Sequence, residues 1–446
     1  MTKKKLSISE RIREQARKNL KFEKSNKFSH LSTPSEEENS VLPKYLQEWL
    51  SGEKTGFDPK RYSENRLKKT PSKDAVRVLL LAPEEERSDL EINRLVQTLG
   101  INKSKVIFFN SQAKKNARFL IPKSAIDKAV EFIDRYFFTA VVVDAELSPS
   151  QIRNLEAEFK KPVLERQAVI LAIFQKHASS KLAKSQVEIA QLKYLSARLS
   201  GLWMGLSRQR GAAGGLGGRG LGEKKLELDR RTIQNRIHTL EKSLVKAEIA
   251  RKIQSKERQS LPRVALVGYT NAGKSSLMSH LTQYESSAKD ELFHTLDTVV
   301  KTFQPLTSPK ILVSDTIGFI NKLPHDLMAA FKATLAEAKE SSLIIHVVDI
   351  SHNNWFQQFT ITEKVLEELE ITDVKKLLVL NKQDVFLGKK MFDRRNIEWK
   401  LRTISSKYQK RIFTSCTTGE GISLLKQNIC ENLSATMKPW LLNSKE

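Results

Sequence analysis

The stretch Arg263-Val-Ala-Leu-Val267, running directly into Gly268-Tyr269-Thr270-Asn271-Ala272-Gly273-Lys274-Ser275-Ser276, decides how this chain is read. The first five residues are strand-forming and apolar. The next eight satisfy the phosphate-loop pattern G-x-x-x-x-G-K-[ST], and a helical stretch follows. In such a loop the glycines let backbone N–H groups wrap a phosphate, and the positive end of the helix dipole adds to the attraction. Lys274 would reach the β- and γ-phosphate oxygens, and the Ser275 hydroxyl would ligate Mg²⁺.

Three later segments arrive in the order a guanine-nucleotide site requires. Lys310-Ile-Leu-Val-Ser314 is an expected strand ending in Asp315-Thr316-Ile317-Gly318, the pattern D-x-x-G, where Asp315 would hold Mg²⁺ through water and the Gly318 N–H would sense the γ-phosphate. Leu377-Leu-Val-Leu380 ends in Asn381-Lys382-Gln383-Asp384, the pattern N-K-x-D. A carboxylate at Asp384 can accept from both the N1–H and the 2-amino group of guanine, donors that adenine lacks, and an unpaired buried carboxylate is costly. Arg411-Ile-Phe-Thr414 leads to Ser415-Cys416, whose backbone N–H groups would meet guanine O6. Read singly, each tetrapeptide could be an unrelated turn; four in register point to GTP and GDP as ligands, with Mg²⁺.

Between the phosphate loop and Asp315, Phe293-His-Thr295-Leu296 supplies a switch hydroxyl for Mg²⁺ and the γ-phosphate. Thr295 is the expected residue, with Thr298 and Thr302 as rivals. Lys274, Thr295 and Gly318 are therefore the candidate catalytic groups. The residue after Gly318 is Phe319, where some GTPases carry a Gln that orients the attacking water. Phenylalanine cannot do this, so either another group does or a partner completes the site. His325 is a candidate helper, though a lone His beside a helix start reads first as structural.

Working outward, the chain has 446 residues, 39% of them hydrophobic, with a net charge of +25 and a pI near 9.8. That length suggests two to four domains. The absence of a long apolar run excludes a membrane span, and two cysteines exclude a disulfide scaffold or a Cys-rich zinc site. From Lys176 to Arg263 there are 20 Lys and Arg against 7 Asp and Glu, and residues 1–70 hold 17 against 10. Such clustering points to a polyanion partner, because phosphate contacts release counterions, whereas an even spread would read as a solubilising surface. The N-terminus lacks the apolar stretch of a secretory signal, and Glu10, Glu14 and Glu23 interrupt the basic run of a transit peptide. The expected compartment is a bacterial-type cytoplasm, with peripheral membrane association and the mitochondrial matrix as alternatives.

Residues 1–70 read as a basic, largely flexible extension. From about 71 to 180, short apolar runs (Val76–Leu81, Lys105–Phe109, Thr139–Val143) alternate with helical stretches (Asp89–Leu99, Ser124–Tyr136), which implies a small α/β domain with a parallel sheet covered on both faces. Residues 181–260 read as an antiparallel helical hairpin, with helices over about Ser185–Leu199 and Glu223–Gln259. In the second, Ile233, Ile237, Leu240, Leu244 and Ala247 recur at coiled-coil spacing. The connection, 201–222, holds nine of the 18 glycines, interleaved with Arg208, Arg210 and Arg219. Glycine permits close backbone approach and arginine contacts phosphate and bases, so these three arginines are candidate RNA contacts rather than parts of an inert linker. Residues 261–438 are the expected nucleotide domain, a doubly wound sheet, and 439–446 a tail.

Several segments are specific enough to resemble one family, the HflX GTPases of translation. They are Gly268–Ser276, Leu292-Phe-His-Thr-Leu-Asp297, the run Asp315-Thr-Ile-Gly-Phe-Ile-Asn-Lys-Leu-Pro-His-Asp-Leu327 and Ala330-Phe-Lys-Ala-Thr-Leu335. Glu146-Leu-Ser-Pro-Ser-Gln151, Gln186–Leu192, Arg208-Gln-Arg-Gly211 and Gly222–Arg231 extend the likeness through the amino-terminal half. The resemblance implies an α/β domain with a helical hairpin, then a Ras-like G domain. It also implies binding to the large ribosomal subunit and its rRNA, splitting of 70S ribosomes and ribosome-stimulated GTP hydrolysis; the free protein is expected to be a monomer. Its aromatic residue after D-x-x-G matches Phe319. The chain departs from the family at Thr298, where a Pro is usual, and at Cys416, where an Ala is usual. Two other readings stand beside ribosome splitting: a GTP-gated assembly or anti-association factor, and a nucleotide-driven RNA-remodelling enzyme using ATP.

Overall fold

The computed structural model describes residues 76–87, 90–111, 117–210, 221–255, 261–282, 292–293, 298–305, 310–322, 338–371, 373–387, 399–404, 408 and 410–443. The first described unit is a four-stranded, wholly parallel sheet in the order β2-β1-β3-β4, with β1 at Arg77–Pro83, β2 at Lys103–Phe109, β3 at Ala140–Val143 and β4 at Val163–Glu165. Helices α1 (Glu91–Thr98), α2 (Lys123–Tyr136), α3 (Pro149–Phe159) and α4 (Arg166–His177) alternate with the strands. The two-residue period of a strand sorts β1 and β3 between two cores. Leu79, Leu81, Val141 and Val143 pack with Ile126, Ile133, Ile152 and Leu155, whereas Leu80 and Val142 pack with Ile92, Leu95, Ile170 and Phe174. This is the α/β layering expected from the alternating runs. The strand β4 was not expected: three residues behind Lys160-Lys-Pro162 are too few to show a period.

α5 (Lys181–Arg210) and α6 (Leu221–Ser255) pack on one another, with Arg236–Glu188 and Lys193–Glu241 ion pairs between them. Within the expected apolar stripe Leu240 is buried, Ile233, Ile237 and Leu244 are half-buried, and Ala247 is exposed. The stretch expected as a loop over 201–222 is shorter than that: 201–210 continue α5 and 221–222 begin α6. Two glycines in 201–210 cost about 1 kcal/mol each in a helix, which the flanking Leu, Met and Arg residues tolerate. Residues 211–220, with Arg219, lie outside the described residues, as do the Arg208 and Arg210 side chains and the extension 1–70.

The second sheet has six strands in the order β10-β9-β8-β5-β7-β6. These are β5 (Arg263–Gly268), β6 (Val299–Phe303), β7 (Ile311–Asp315), β8 (Leu343–Asp349), β9 (Lys376–Asn381) and β10 (Arg411–Phe413). Of these six, only β6 runs antiparallel to its neighbour. α7 (Lys274–Thr282) and α10 (Ile422–Asn443) cover one face through Leu277, Leu281, Leu425 and Ile429; α8 (Trp355–Glu368) lies on the other, and α9 (Gln383–Leu387) follows β9. The chain winds away from β5 in both directions, to β7 on one side and β8 on the other. Ligands of such sheets bind beyond the carboxyl ends of the strands at that reversal point.

Candidate functional site

All four sequence motifs converge on that edge: Gly268 ends β5, Asp315 ends β7, Asn381 ends β9, and Ser415 follows β10. The phosphate loop between β5 and α7 turns through Asn271 in a left-handed conformation (φ 61°), which Asn tolerates better than most residues. Gly273 also has positive φ (91°), and a Cβ there would lie 2.2 Å from Asn381 Nδ2. The loop is therefore pressed against the guanine motif, and Asn381 Nδ2 donates to Ala272 O at 2.9 Å.

Lys274 is buried, its ammonium donating to Gly268 O (3.1 Å) and Tyr269 O (2.8 Å). Burial pulls this ammonium down to about 8, and Asp315 opposes the shift. Two of its three protons hold the loop carbonyls, so the head group is fixed at the base of the loop with one donor left for a ligand. Ser275 Oγ donates to Asp315 Oδ2 at 2.6 Å, bringing two hard oxygen ligands together. Thr316 Oγ1 donates to Leu266 O (2.7 Å), tying the D-x-x-G segment to β5. Beyond it the backbone zips onto the loop: Thr270 N–H donates to Phe319 O (2.8 Å) and Phe319 N–H to Gly268 O (3.1 Å). A Cβ on Gly318 would sit 2.9 Å from Lys274 Nζ, so only glycine lets this backbone approach the ammonium so closely. Ile317 and Phe319 are buried apolar anchors.

At the far end of the edge, Asn381 Oδ1 accepts from Thr414 Oγ1 (3.1 Å) and Cys416 Sγ (3.5 Å), so one amide joins three loops. Lys382 adopts positive φ (62°) and pairs with Asp349 Oδ2 at 2.8 Å. Asp384 Oδ1 is buried and has no hydrogen-bond partner among the described residues. Burial pushes the Cys416 thiol up to about 11, so it stays protonated and keeps its proton for Asn381. One expectation is corrected. Ser415 N–H donates to Glu420 O (3.0 Å) and so closes its own loop, leaving the Cys416 amide as the candidate for a base carbonyl.

Ser276 follows the loop in the first turn of α7, and within the loop Thr270 Oγ1 is buried without a partner among the described residues. Thr295 and His325 lie outside the described residues. Sequence reasoning missed Asp349, Thr414 and His280, whose Nε2–H donates to Cys416 O at 2.7 Å. Asp349 could have been found, since Leu343-Ile-Ile-His-Val-Val-Asp349 is a strand ending level with Asn381.

Residues 86–175, 177–258 and 263–382 match, in turn, the family models described as GTP-binding GTPase N-terminal, GTP-binding GTPase Middle Region and 50S ribosome-binding GTPase. GTPase HflX of Lacrimispora saccharolytica is 40% identical over 373 residues, 82% of this chain and 84% of that one. GTPase HflX of Escherichia coli K12 is 36% identical over 354 residues, 79% and 80% of the two chains. Among solved structures, a GTP-binding protein from the archaeon Sulfolobus solfataricus in complex with GDP is 24% identical, with a TM-score of 0.42, over 81% of this chain and all of that one. The fold and the motifs define a P-loop GTPase. Within that class, the chain belongs to the HflX family of GTPases.

Proposed function

We propose that the carboxyl edge of the second sheet binds guanine nucleotide and Mg²⁺, and that the nucleotide gates binding to the large ribosomal subunit, with splitting of the ribosome as the outcome. The observation that carries the nucleotide reading is the joint arrangement of Lys274, the Ser275–Asp315 pair and the half-buried Asp384 carboxylate, whose Oδ1 is enclosed, on one edge. The loop N–H groups and the third proton of Lys274 receive the phosphates, and Asp384 receives the N1–H and 2-amino group of the base. Asn381 holds the phosphate and base loops in one frame.

Ser275 and Asp315 fit Mg²⁺, being oxygen donors already in contact, and Thr295 would complete the set. When bound, Mg²⁺ neutralises charge on the β- and γ-phosphates. Hydrolysis transfers the γ-phosphoryl group to water and leaves GDP, with charge building toward the β-phosphate. Lys274 and the loop amides face that position and cost no reorganisation there. Phe319 is buried and apolar, so it orients no water, and the intrinsic rate is expected to be slow until a partner acts.

The ribosomal reading is supported by the match of residues 263–382 to a family described as 50S ribosome-binding GTPase and by the basic excess over 176–263. For nucleotide to gate this binding, the GTP form must hold the ribosome more tightly than the GDP form. Sucrose-gradient sedimentation of vacant ribosomes with the protein tests this. Loss of the monosome peak with a non-hydrolysable GTP analogue, but not with GDP, is expected. Intact monosomes with protein on free large subunits only would replace splitting by an assembly or anti-association role.

A further inference from the structure

One hydroxyl of the phosphate loop differs from its neighbours. Thr270 is buried, only 6% exposed, and its Oγ1 has no partner among the described residues. The other polar side chains of the loop are engaged. Tyr269 donates its hydroxyl proton to Glu91, Ser275 Oγ donates to Asp315, Lys274 holds two loop carbonyls, and Asn271 is engaged as well.

The backbone fixes where Thr270 sits. Its N–H donates to Phe319 O at 2.8 Å, and Tyr269 bridges to Phe319 in parallel, so the loop and the D-x-x-G segment lie side by side. The point that a Cβ on Gly318 would occupy lies 2.8 Å from Thr270 Cα, and 2.9 Å from both Thr270 Cγ2 and Lys274 Nζ. Thr270, Lys274 and Gly318 therefore converge on one spot, the end of the loop where the Gly318 N–H is expected to meet the γ-phosphate.

A buried hydroxyl without a partner destabilises a fold, since its desolvation is not offset, and an apolar group of the same shape would be neutral or better there. The loop itself does not require the oxygen. What ties Thr270 to the switch is a backbone N–H, which any residue except proline supplies. The hydrolytic step does have a use for it. Ile317 and Phe319 are buried and apolar and offer that spot no oxygen to orient a water, whereas Thr270 does.

We propose that Thr270 is a catalytic residue of the hydrolytic step: its hydroxyl accepts a hydrogen bond from the attacking water and holds it beside the Gly318 amide, the role that Phe319 cannot fill. The inference rests on the nucleotide reading above. In that step the water oxygen bonds to the γ-phosphorus, and the bond from that phosphorus to the bridging oxygen breaks with its electron pair left on GDP. One water proton passes to the released phosphate. The Thr270 hydroxyl is unchanged across the step and acts by orientation alone.

The test is Thr270→Val in the full chain, which removes one oxygen and keeps the branched shape, with Thr270→Ser as the variant that keeps the oxygen. Intrinsic single-turnover GTP hydrolysis should fall at least fivefold in Thr270→Val and stay within twofold of the parental rate in Thr270→Ser. GDP carries no γ-phosphate, so its Kd should change less than twofold in both. Without nucleotide, Thr270→Val should melt at the parental temperature or above it. Parental hydrolysis by Thr270→Val, or Thr270→Ser as slow as Thr270→Val, would overturn the proposal. So would a Thr270→Val protein whose melting temperature and GDP affinity fall together with its rate, since the hydroxyl would then be structural. Absence of GDP binding by the parent chain would instead overturn the nucleotide reading, leaving the two failures distinct.

Discussion

The two sheets of this chain are built alike, parallel strands alternating with helices, yet their carboxyl edges do opposite things. The edge of the second sheet is glycine-rich and presents backbone N–H groups and a buried lysine, a surface suited to anions. The edge of the first presents Glu86, Glu91, Asp144, Glu165 and Arg166, and its side chains hold protein: Glu165 accepts from Leu147 N–H at 2.8 Å, Arg166 and Glu86 hold Asn321 O and Lys322 of the second domain, Glu91 accepts from the Tyr269 hydroxyl, and Asp144 pairs with Arg166. The layered fold therefore dictates where a site can form but not its chemistry, which is decided by the few residues at the strand ends.

The same contrast appears in proton affinities. On the first edge Glu86 is raised to about 7 by burial, by its hydrogen bond to Asp144 and by the negative charge of that neighbour. Burial would raise Asp144 too, but Arg166 and the Glu86 hydrogen bond hold it below the usual carboxylate range. Arg166 stays charged despite burial because Asp144 and Glu91 flank it. On the second edge the perturbed group is the Lys274 ammonium, poised for anionic oxygen.

The comparison can be broken most severely at Lys274. Lys274→Ala should weaken GDP and GTP binding by at least a hundredfold, roughly 3 kcal/mol, because it removes a charge-assisted hydrogen bond to phosphate. Fluorescent-nucleotide titration measures this, and near-parental affinity would mean that the second edge is not an anion site. Next in size is the polyanion claim. Changing Arg208, Arg210 and Arg219 to Ala together should weaken ribosome binding and flatten its salt dependence, by up to about one unit of log–log slope for each arginine–phosphate pair removed. An unchanged slope would mean that the hairpin tip reads no phosphate.

A smaller effect is expected inside the second domain, away from the nucleotide. Tyr408 Oη donates to Glu363 Oε1 (2.7 Å), His346 Nδ1 donates to Tyr408 Oη (2.9 Å), and His346 stacks on Phe359 at 5.0 Å. Burial would raise Glu363, but the hydrogen bonds from His346 and Tyr408 and the nearby Lys376 hold it down to about 2. A depressed carboxylate stabilises the fold above its unfolded value near 4.5, and that stabilisation is lost as pH falls through about 2. Glu363→Gln should therefore cost about 2 kcal/mol at pH 7 and flatten the fall in melting temperature between pH 4.5 and 2. An equally steep acid fall in the variant would show that Glu363 is not the group responsible.

Smallest of all is a proton count. Because free Lys274 loses its proton at about 8, and bound phosphate favours the charged form, GDP binding at a pH of about 8.5 should take up a fraction of a proton. Calorimetry in buffers of differing ionisation enthalpy reads this directly. Heats that do not depend on the buffer at that pH would contradict it.

Much of the second edge was legible in the sequence because nucleotide chemistry needs particular residues at contiguous spacings: Gly268–Ser275, Asp315–Gly318 and Asn381–Asp384 each sit on one turn. The α/β layering was legible for the same local reason, from short apolar runs between helices. The first edge was not. Glu91, Asp144, Arg166, Tyr269 and Asn321 are brought together only by packing two domains, and no local spacing records that. Nor did composition fix the ends of α5, since Gly201–Arg210 read as loop by glycine content but continue a helix set by its preceding turns. The Ser415 amide departs from the motif's expectation because its partner, Glu420, is supplied by loop closure rather than by the motif.

The central claim, that the second edge is a guanine site read by Asp384, is tested most directly by competition titration of the full chain and its Asp384→Asn variant. GTP, ATP and XTP would each displace fluorescent GDP, or for the variant fluorescent XDP. The account predicts that the parent chain prefers GTP over both others, and that the variant loses about ten- to a hundredfold in GTP affinity while gaining preference for XTP. Unchanged GTP affinity in Asp384→Asn, or equal competition by ATP in the parent chain, would contradict it.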